Sequence, residues 1–236
     1  MKAVILAGGK GTRLYPYTTV FPKPLVPLDD IPILEIIIRQ LAHYGFKEIV
    51  LSVGYLSELI QAYFLNSKHI PAGVILKYVK EDKPLGTSGS VAKIRNLKND
   101  FLVMNGDILT TIDYRKLFDF HKKKKSTLTV AMHRRQVKID LGLIETDKNS
   151  RITSFTEKPT MKYLVSMGIY VYSPKVLGYI KHNERIDFPE IVWRLLDRKE
   201  RVYGWESDDY WLDLGSHEDY AQALKEFQSR KKEFLL

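Results

Sequence analysis

The chain has 236 residues, 44% hydrophobic and 28% charged, which is ordinary for a globular protein and long enough for one large α/β core or two small ones. It holds no cysteine, which excludes disulfides and thiolate metal sites and fits a reducing cytoplasm, the expected location. Its net charge of +9 gathers largely at 122–125 and 230–232, where helix ends are expected. No aromatics interleave there and no run approaches a membrane span, so neither nucleic acid nor membrane is expected as a partner.

Residues 3–7 form an apolar run suited to a buried strand, ending in Leu6 and Ala7. Gly8, Gly9 and Gly11 follow at once, then Thr12 and Arg13, and ten residues later comes Pro22-Lys23-Pro24. Glycines directly after a strand let the backbone turn sharply and bring N–H groups within reach of a phosphate. Arg13 can fork onto phosphate oxygens and Lys23 adds a second positive charge. The Walker pattern fails because Gly9-Lys10 is followed by Gly11. The dinucleotide pattern fails because Leu14 stands where its third glycine belongs.

A helix is expected over 32–44, with Ile33, Ile37, Leu41 and Tyr44 at helical spacing and Gly45 to end it. A strand at 48–53, a helix at 57–65 and a strand at 74–79 continue a rhythm that implies parallel strands with helical crossovers. Residues 80–90, KEDKPLGTSGS, read as a loop opening into a helix near Ser90. Gly86, Thr87 and Gly89 suit either an ordinary turn or close approach to a flat ligand edge. The strand at 101–104 ends in Asn105-Gly106-Asp107. Asp107 there either caps a turn or, at the edge where such sheets bind ligands, holds Mg²⁺.

Asp113 can cap a helix at 114–123, and 127–133 makes a strand ending in a solvated His133-Arg134-Arg135. The alternation then stops. A hairpin is expected from strands at 141–145 and 152–157, the second ending in Glu157-Lys158-Pro159, and another strand at 167–171 contains Gly168. Short helices at 174–180 and 188–198 follow, the second burying Ile191, Leu195 and Leu196. Strands at 202–205 and 210–212 close the sheet, and Asp213 precedes a helix at 216–234 with Ala221 and Leu224 inward. No internal repeat is present.

The run L-A-G-G-x-G-T-R-L followed by P-K-P resembles the sugar-1-phosphate nucleotidyltransferases, with further matches at P-L-G-T-S-G, at Asp107, at E-K-P and at W-L-D-L-G. Together these cover about residues 2 to 225. The resemblance implies a single Rossmann-like α/β domain over 1–236 with a mixed, mostly parallel central sheet flanked by helices. About 1–135 form the nucleotide half and about 136–225 the sugar-phosphate half, with a C-terminal helix to 236.

The implied reaction is NTP plus sugar 1-phosphate giving NDP-sugar plus pyrophosphate. Arg13 and Lys23 are implied to be catalytic, and Leu6, Ala7, Gly8, Gly9, Gly11, Thr12, Gly86 and Thr87 to bind nucleotide. Gly142, Glu157, Lys158 and Gly168 are implied to bind the sugar phosphate, and Asp107 and Asp213 to hold Mg²⁺. Leu141 stands where some members carry an aromatic. The segment Ile186-Asp187-Phe188-Pro189-Glu190 is closer to the guanylyl and heptose branch than to thymidylyl relatives, which favours GTP with mannose or heptose 1-phosphate. Uridylyl, thymidylyl or cytidylyl transfer is the near alternative. An idle, regulatory nucleotide-sugar-binding relative is opposed by the presence of Arg13, Lys23, Asp107 and Asp213. A glycosyltransferase is opposed by Asn105-Gly106-Asp107, which is not D-x-D. Self-association into a homo-oligomer is neither required nor excluded.

Overall fold

The computed structural model describes residues 1–236 apart from Asn66, Asp82 and Leu236. Asp82 of the expected loop and Leu236 of the expected C-terminal helix therefore lie outside the described residues. The apolar run at the N-terminus becomes β1 (Lys2–Ala7), with Ala3, Val4 and Ile5 fully buried. Alternation along it serves both faces of the sheet. Ala3 and Ile5 join the core under α1 (Ile33–His43), and Val4 joins a second core with Val91 and Ile94.

Between them β2 (Pro27–Leu28) and β3 (Ile31–Pro32) form a short antiparallel pair, so α1 begins one residue after the expected Pro32. Helix α1 ends as expected: the Gly45 N–H donates to Ala42 O at 2.9 Å and the Phe46 N–H to Leu41 O at 3.0 Å.

Next come β4 (Glu48–Val53), α2 (Ser57–Leu65), β5 (Ile75–Lys80), α3 (Gly86–Ala92), β6 (Phe101–Asn105) and β7 (Ile108–Thr110). The expected loop at 80–90 is thus half helix, since α3 starts at Gly86 rather than near Ser90. Helix α4 (Tyr114–Lys124) is capped by Asp113, which accepts from the Lys116 N–H at 3.0 Å. The remaining elements are β8 (Leu128–Lys138), β9 (Leu143–Thr146), β10 (Ile152–Thr156), β11 (Thr160–Tyr172), α5 (Phe188–Asp197), β12 (Val202–Ser207), β13 (Trp211–Asp213), α6 (His217–Ser229) and α7 (Lys231–Leu235). Residues Pro174–Tyr179 form a 3₁₀ helix.

Seven strands make the main sheet in the order β12-β8-β11-β6-β1-β4-β5. Four neighbouring pairs are parallel, and β11 runs antiparallel to both β6 and β8. The sheet is therefore mixed and mostly parallel, as the sequence implied. Strands β8 and β11 are far longer than expected. Their pairing from His133–Val165 to Lys138–Thr160 builds an arm, joined by the β9–β10 hairpin, that extends past the C-terminal end of β6.

Four further expectations need correction. Strand β13 does not close the main sheet but pairs with β7, because Tyr210 O accepts from the Thr111 N–H at 3.1 Å and from Thr110 Oγ1 at 2.7 Å. The C-terminal helix breaks at Arg230, which leaves the Phe234 carbonyl to accept from buried Gln40 Nε2 at 3.0 Å. On α6 the inward residues are Ala223 and Phe227, with Leu224 beside them, and Ala221 is exposed. On α5, Ile191 and Leu195 are buried but Leu196 is exposed, being one residue off that stripe.

Candidate functional site

The C-terminal ends of β1 and β6 lie side by side, since Leu6 pairs with Asn105. The Gly106 N–H donates to Leu6 O at 2.9 Å, so the two strand ends turn away together. After Ala7 the chain runs through Gly8 and the exposed Gly9 to Gly11, which has φ +62°. A β-carbon on Gly11 would lie 2.9 Å from Lys23 Cβ and 3.0 Å from Thr18 Cγ2. Glycine is thus needed twice here, for the backbone angle and for the packing of Lys23 beneath the turn. Thr12 and Arg13 open a 3₁₀ turn with both side chains exposed, anchored by fully buried Leu14. The turn is also held from outside, because His217 Nε2 meets Tyr15 O at 2.7 Å.

Lys23, nearly buried, pairs with Asp107. Asp213 is delivered beside Asp107 by the β7–β13 pairing, in which the Leu214 N–H donates to Asp107 O at 3.0 Å. Asp213 Oδ1 is buried without a hydrogen-bond partner. Burial and the neighbouring Asp107 carboxylate push the Asp213 carboxyl above its usual range, against the pull of Lys23 and Arg13. Arg13 closes the cluster: a β-carbon on Gly215 would lie 3.2 Å from its Nη1.

An orphaned carboxylate oxygen beside a second carboxylate is a donor set that fits a hard divalent cation. Such a cation takes one or two protein carboxylates and completes its shell with phosphate oxygens. No larger group of His, Asp or Glu suited to a metal occurs among the described residues.

The raised pKa fixes a sign. Ionised Asp213 costs the metal-free fold stability, a cost that sets in as pH rises through 3.8, the ordinary value, and remains at neutral pH. Asp213→Asn is therefore expected to raise the melting temperature in EDTA at pH 7, because the amide keeps the size of the side chain without the buried charge. A lower melting temperature would contradict that environment.

Gly86 and Thr87 open α3. Gly86 has φ +75°, and a β-carbon there would lie 2.6 Å from Ile186 O and 2.7 Å from Asp187 Oδ1. Thr87 is engaged by the 186–190 segment: its N–H donates to Asp187 Oδ1 at 2.9 Å and its hydroxyl accepts from the Phe188 N–H at 2.8 Å. Asp187 and Glu190 also form a capping box for α5, so the D-F-P-E run docks this loop.

Glu81, which the sequence reading did not single out, ties the two loops. It accepts from Ser52 Oγ at 2.9 Å and from the Leu85 N–H at 3.2 Å, and its Oε1 would lie 3.3 Å from a β-carbon on Gly8. Its position directly after β5, at the binding edge of a parallel sheet, is the signal that pointed to Asp107 and was available here too.

Farther along the chain, Gly168 has φ +70° and packs against Asn105, two residues from Asp107. Gly142 lies against the Phe155 ring, with Glu157 Oε2 where it would sit 3.3 Å from a β-carbon. Lys158 is 4.0 Å from Glu157, both largely exposed. Gly142, Glu157 and Lys158 are thus brought together at the end of the β8–β11 pairing farthest from β6, and no hydrogen bond or ion pair links them to Asp107 or Asp213 among the described residues.

The sequence profile of the family described as Nucleotidyl transferase matches residues 2–230. A D-glycero-alpha-D-manno-heptose 1-phosphate guanylyltransferase of Aneurinibacillus thermoaerophilus is 32% identical over 97% of this chain and 99% of its own length. A UTP–glucose-1-phosphate uridylyltransferase of Synechocystis is also 32% identical over 98% of this chain, but the chain spans only 64% of that relative's length. Among solved structures, HddC from Yersinia pseudotuberculosis superposes with a TM-score of 0.74 at 26% identity, covering 96% of this chain and 99% of its own.

Proposed function

The chain belongs to the nucleotidyl transferase family, and from that premise we propose that it joins a nucleoside triphosphate to a sugar 1-phosphate, giving an NDP-sugar and pyrophosphate. The observation that carries the reading is the convergence of Arg13, Lys23, Asp107 and Asp213 where β1 and β6 end. An oxygen of the sugar phosphate attacks the α-phosphorus in line, and the bond from that phosphorus to the bridging oxygen of the β-phosphate breaks. The electron pair leaves with pyrophosphate. A phosphate monoester is already an anionic nucleophile near neutral pH, so no general base is required. What the step needs is positioning and cations against crowded negative charge.

Arg13, exposed and next to Gly215, meets the leaving pyrophosphate. Lys23 exchanges its Asp107 partner for phosphate oxygens. Family members generally use a divalent metal ion. Mg²⁺ is the ion proposed here, held by Asp107 and Asp213, and its chemistry is neutralisation of the α-phosphate. Lys158, held at a positive φ in the turn after β10, takes the acceptor phosphate, and Glu157 the sugar hydroxyls. Lys158→Ala is expected to raise KM for the sugar phosphate about tenfold or more, the worth of one charge-assisted contact, with KM for the NTP little changed. The reverse pattern in initial rates would misplace the acceptor.

GTP is the nucleotide proposed, with mannose or heptose 1-phosphate as acceptor. Ionised Glu81 only accepts hydrogen bonds, and each of its oxygens keeps a free lone-pair direction after meeting Ser52 and Leu85. Guanine presents two adjacent donors, N1–H and the N2 amine, whereas uracil presents one donor between two acceptors. Glu81→Gln puts a donor into that place and is expected to lower the kcat/KM ratio of GTP over UTP about tenfold. An unchanged ratio would remove Glu81 from base selection.

A further inference from the structure

At the end of the main sheet opposite Asp107, a cavity of about 600 Å³ opens where β8 and β12 begin and β11 ends. The length of β6, about 16 Å, separates it from the cluster described above. Five cationic side chains line it: Lys122, Lys125, Lys175, Lys199 and Arg201. They face two carboxylates, Asp100 and Glu200. Lys175 is spent on Glu200, at 2.6 Å, and Glu200 also accepts from Thr127 Oγ1 at 2.8 Å. Lys122, Lys125, Lys199 and Arg201 have no ion-pair partner among the described residues.

The wall of the cavity contains an unused donor. His121 is 1% exposed, its Nδ1 lies 2.8 Å from Thr129 Oγ1, and its Nε2 has no hydrogen-bond partner. Nε2 is 3.8 Å from Asp100 Oδ2, too far for a hydrogen bond but close enough to make a lone pair facing that carboxylate unfavourable. The proton therefore belongs on Nε2, with the Thr129 hydroxyl donating to Nδ1. Burial holds the imidazole pKa below its ordinary value, so the ring is neutral near pH 7. A buried neutral N–H without an acceptor is a donor suited to an anion.

Backbone geometry at two of the lysines points the same way. Helices α1, α4 and α5 end in one motif. After α4 the Lys125 N–H donates to Lys122 O at 2.9 Å and the Ser126 N–H to His121 O at 3.1 Å. After α5 the Lys199 N–H donates to Leu196 O and the Glu200 N–H to Leu195 O, both at 2.9 Å. The left-handed position of this motif is Gly45 in α1, but Lys125 at φ 49° and Lys199 at φ 55° in the other two. A side chain there costs about 1 kcal/mol. Compensating a helix C-terminus does not require that cost, because lysines one turn earlier serve the dipole equally well, as Lys122–Lys124 already do. Both left-handed lysines line the one cavity.

We propose that this cavity is a second anion site, separate from the catalytic end, that takes a small phosphate ester carrying two or more negative charges. Its volume suits a metabolite rather than a polymer.

The test is the ring NMR spectrum of the six histidines, with His121 identified by its loss in His121→Gln. Inorganic pyrophosphate is titrated into the metal-free protein, against sodium chloride of equal ionic strength. The His121 signal is expected to shift saturably with pyrophosphate and not with chloride. In Lys125→Gly/Lys199→Gly the affinity should fall about tenfold or more, while the melting temperature stays level or rises because the left-handed strain is gone. A nucleoside monophosphate and a sugar bisphosphate run in parallel distinguish the source of the phosphate by which binds tightest. A His121 signal unmoved by every phosphate, moved equally by chloride, or moved as readily in the double-glycine variant overturns the proposal.

Discussion

Asp107→Asn is expected to cut turnover about a thousandfold, the rate equivalent of roughly 4 kcal/mol, with the fold intact. The amide keeps the size of the side chain and an oxygen toward Lys23, so the packing under the glycine turn survives. What is lost is the charge that, with Asp213, makes a place for a divalent cation beside the α-phosphate. Asp107 is fixed by three ties that do not depend on its carboxylate: the Gly106 N–H on Leu6 O, the Leu214 N–H on Asp107 O, and the pairing of β7 with β13. Pyrophosphate release and a thermal melt on the same preparation separate the outcomes. A near-normal rate removes Asp107 from the chemistry. A lost melt shows that its charge holds the fold.

Arg13→Ala is expected to cost a comparable factor, about a thousandfold in kcat, but with no penalty in stability. Arg13 is exposed and has no ion-pair partner among the described residues, and its turn is anchored by Leu14 beneath and by His217 on Tyr15 from outside. Its guanidinium is therefore held in reach of charge that develops only during the reaction. Lysine in its place should recover part of the loss, because the charge returns without the planar fork. If Arg13→Ala changed KM for the triphosphate and left kcat alone, Arg13 would bind the ground state only.

Half of this site was legible because single residues carried it. A buried strand followed by three glycines, and a carboxylate ending a later strand, identify themselves by local chemistry, and in the structure Gly11 packs against Lys23, which pairs with Asp107. Asp213 was legible as a residue but not as a place. Strand β13 has only three residues, too few for alternation to show whether it joins the main sheet or pairs with β7. Glu81 went unread because the loop drew attention through its glycines, whereas its role comes from contacts with Gly8, Ser52 and Leu85 across three elements. Asp187 was read as a marker of a branch, and its contacts with Thr87 arise only when residues a hundred apart meet. The arm was shortened for a related reason. Its residues from 134 to 138 are exposed on both faces, so no hydrophobic pattern announces a strand there.

The most direct measurement is pyrophosphate release with Mg²⁺ from a matrix of nucleoside triphosphates and sugar 1-phosphates. One dominant pair is expected, GTP with mannose or heptose 1-phosphate, and release from it should fall about a thousandfold in Asp107→Asn. No release from any pair, by folded protein that still binds nucleotide sugar, would contradict the assignment of a transferase.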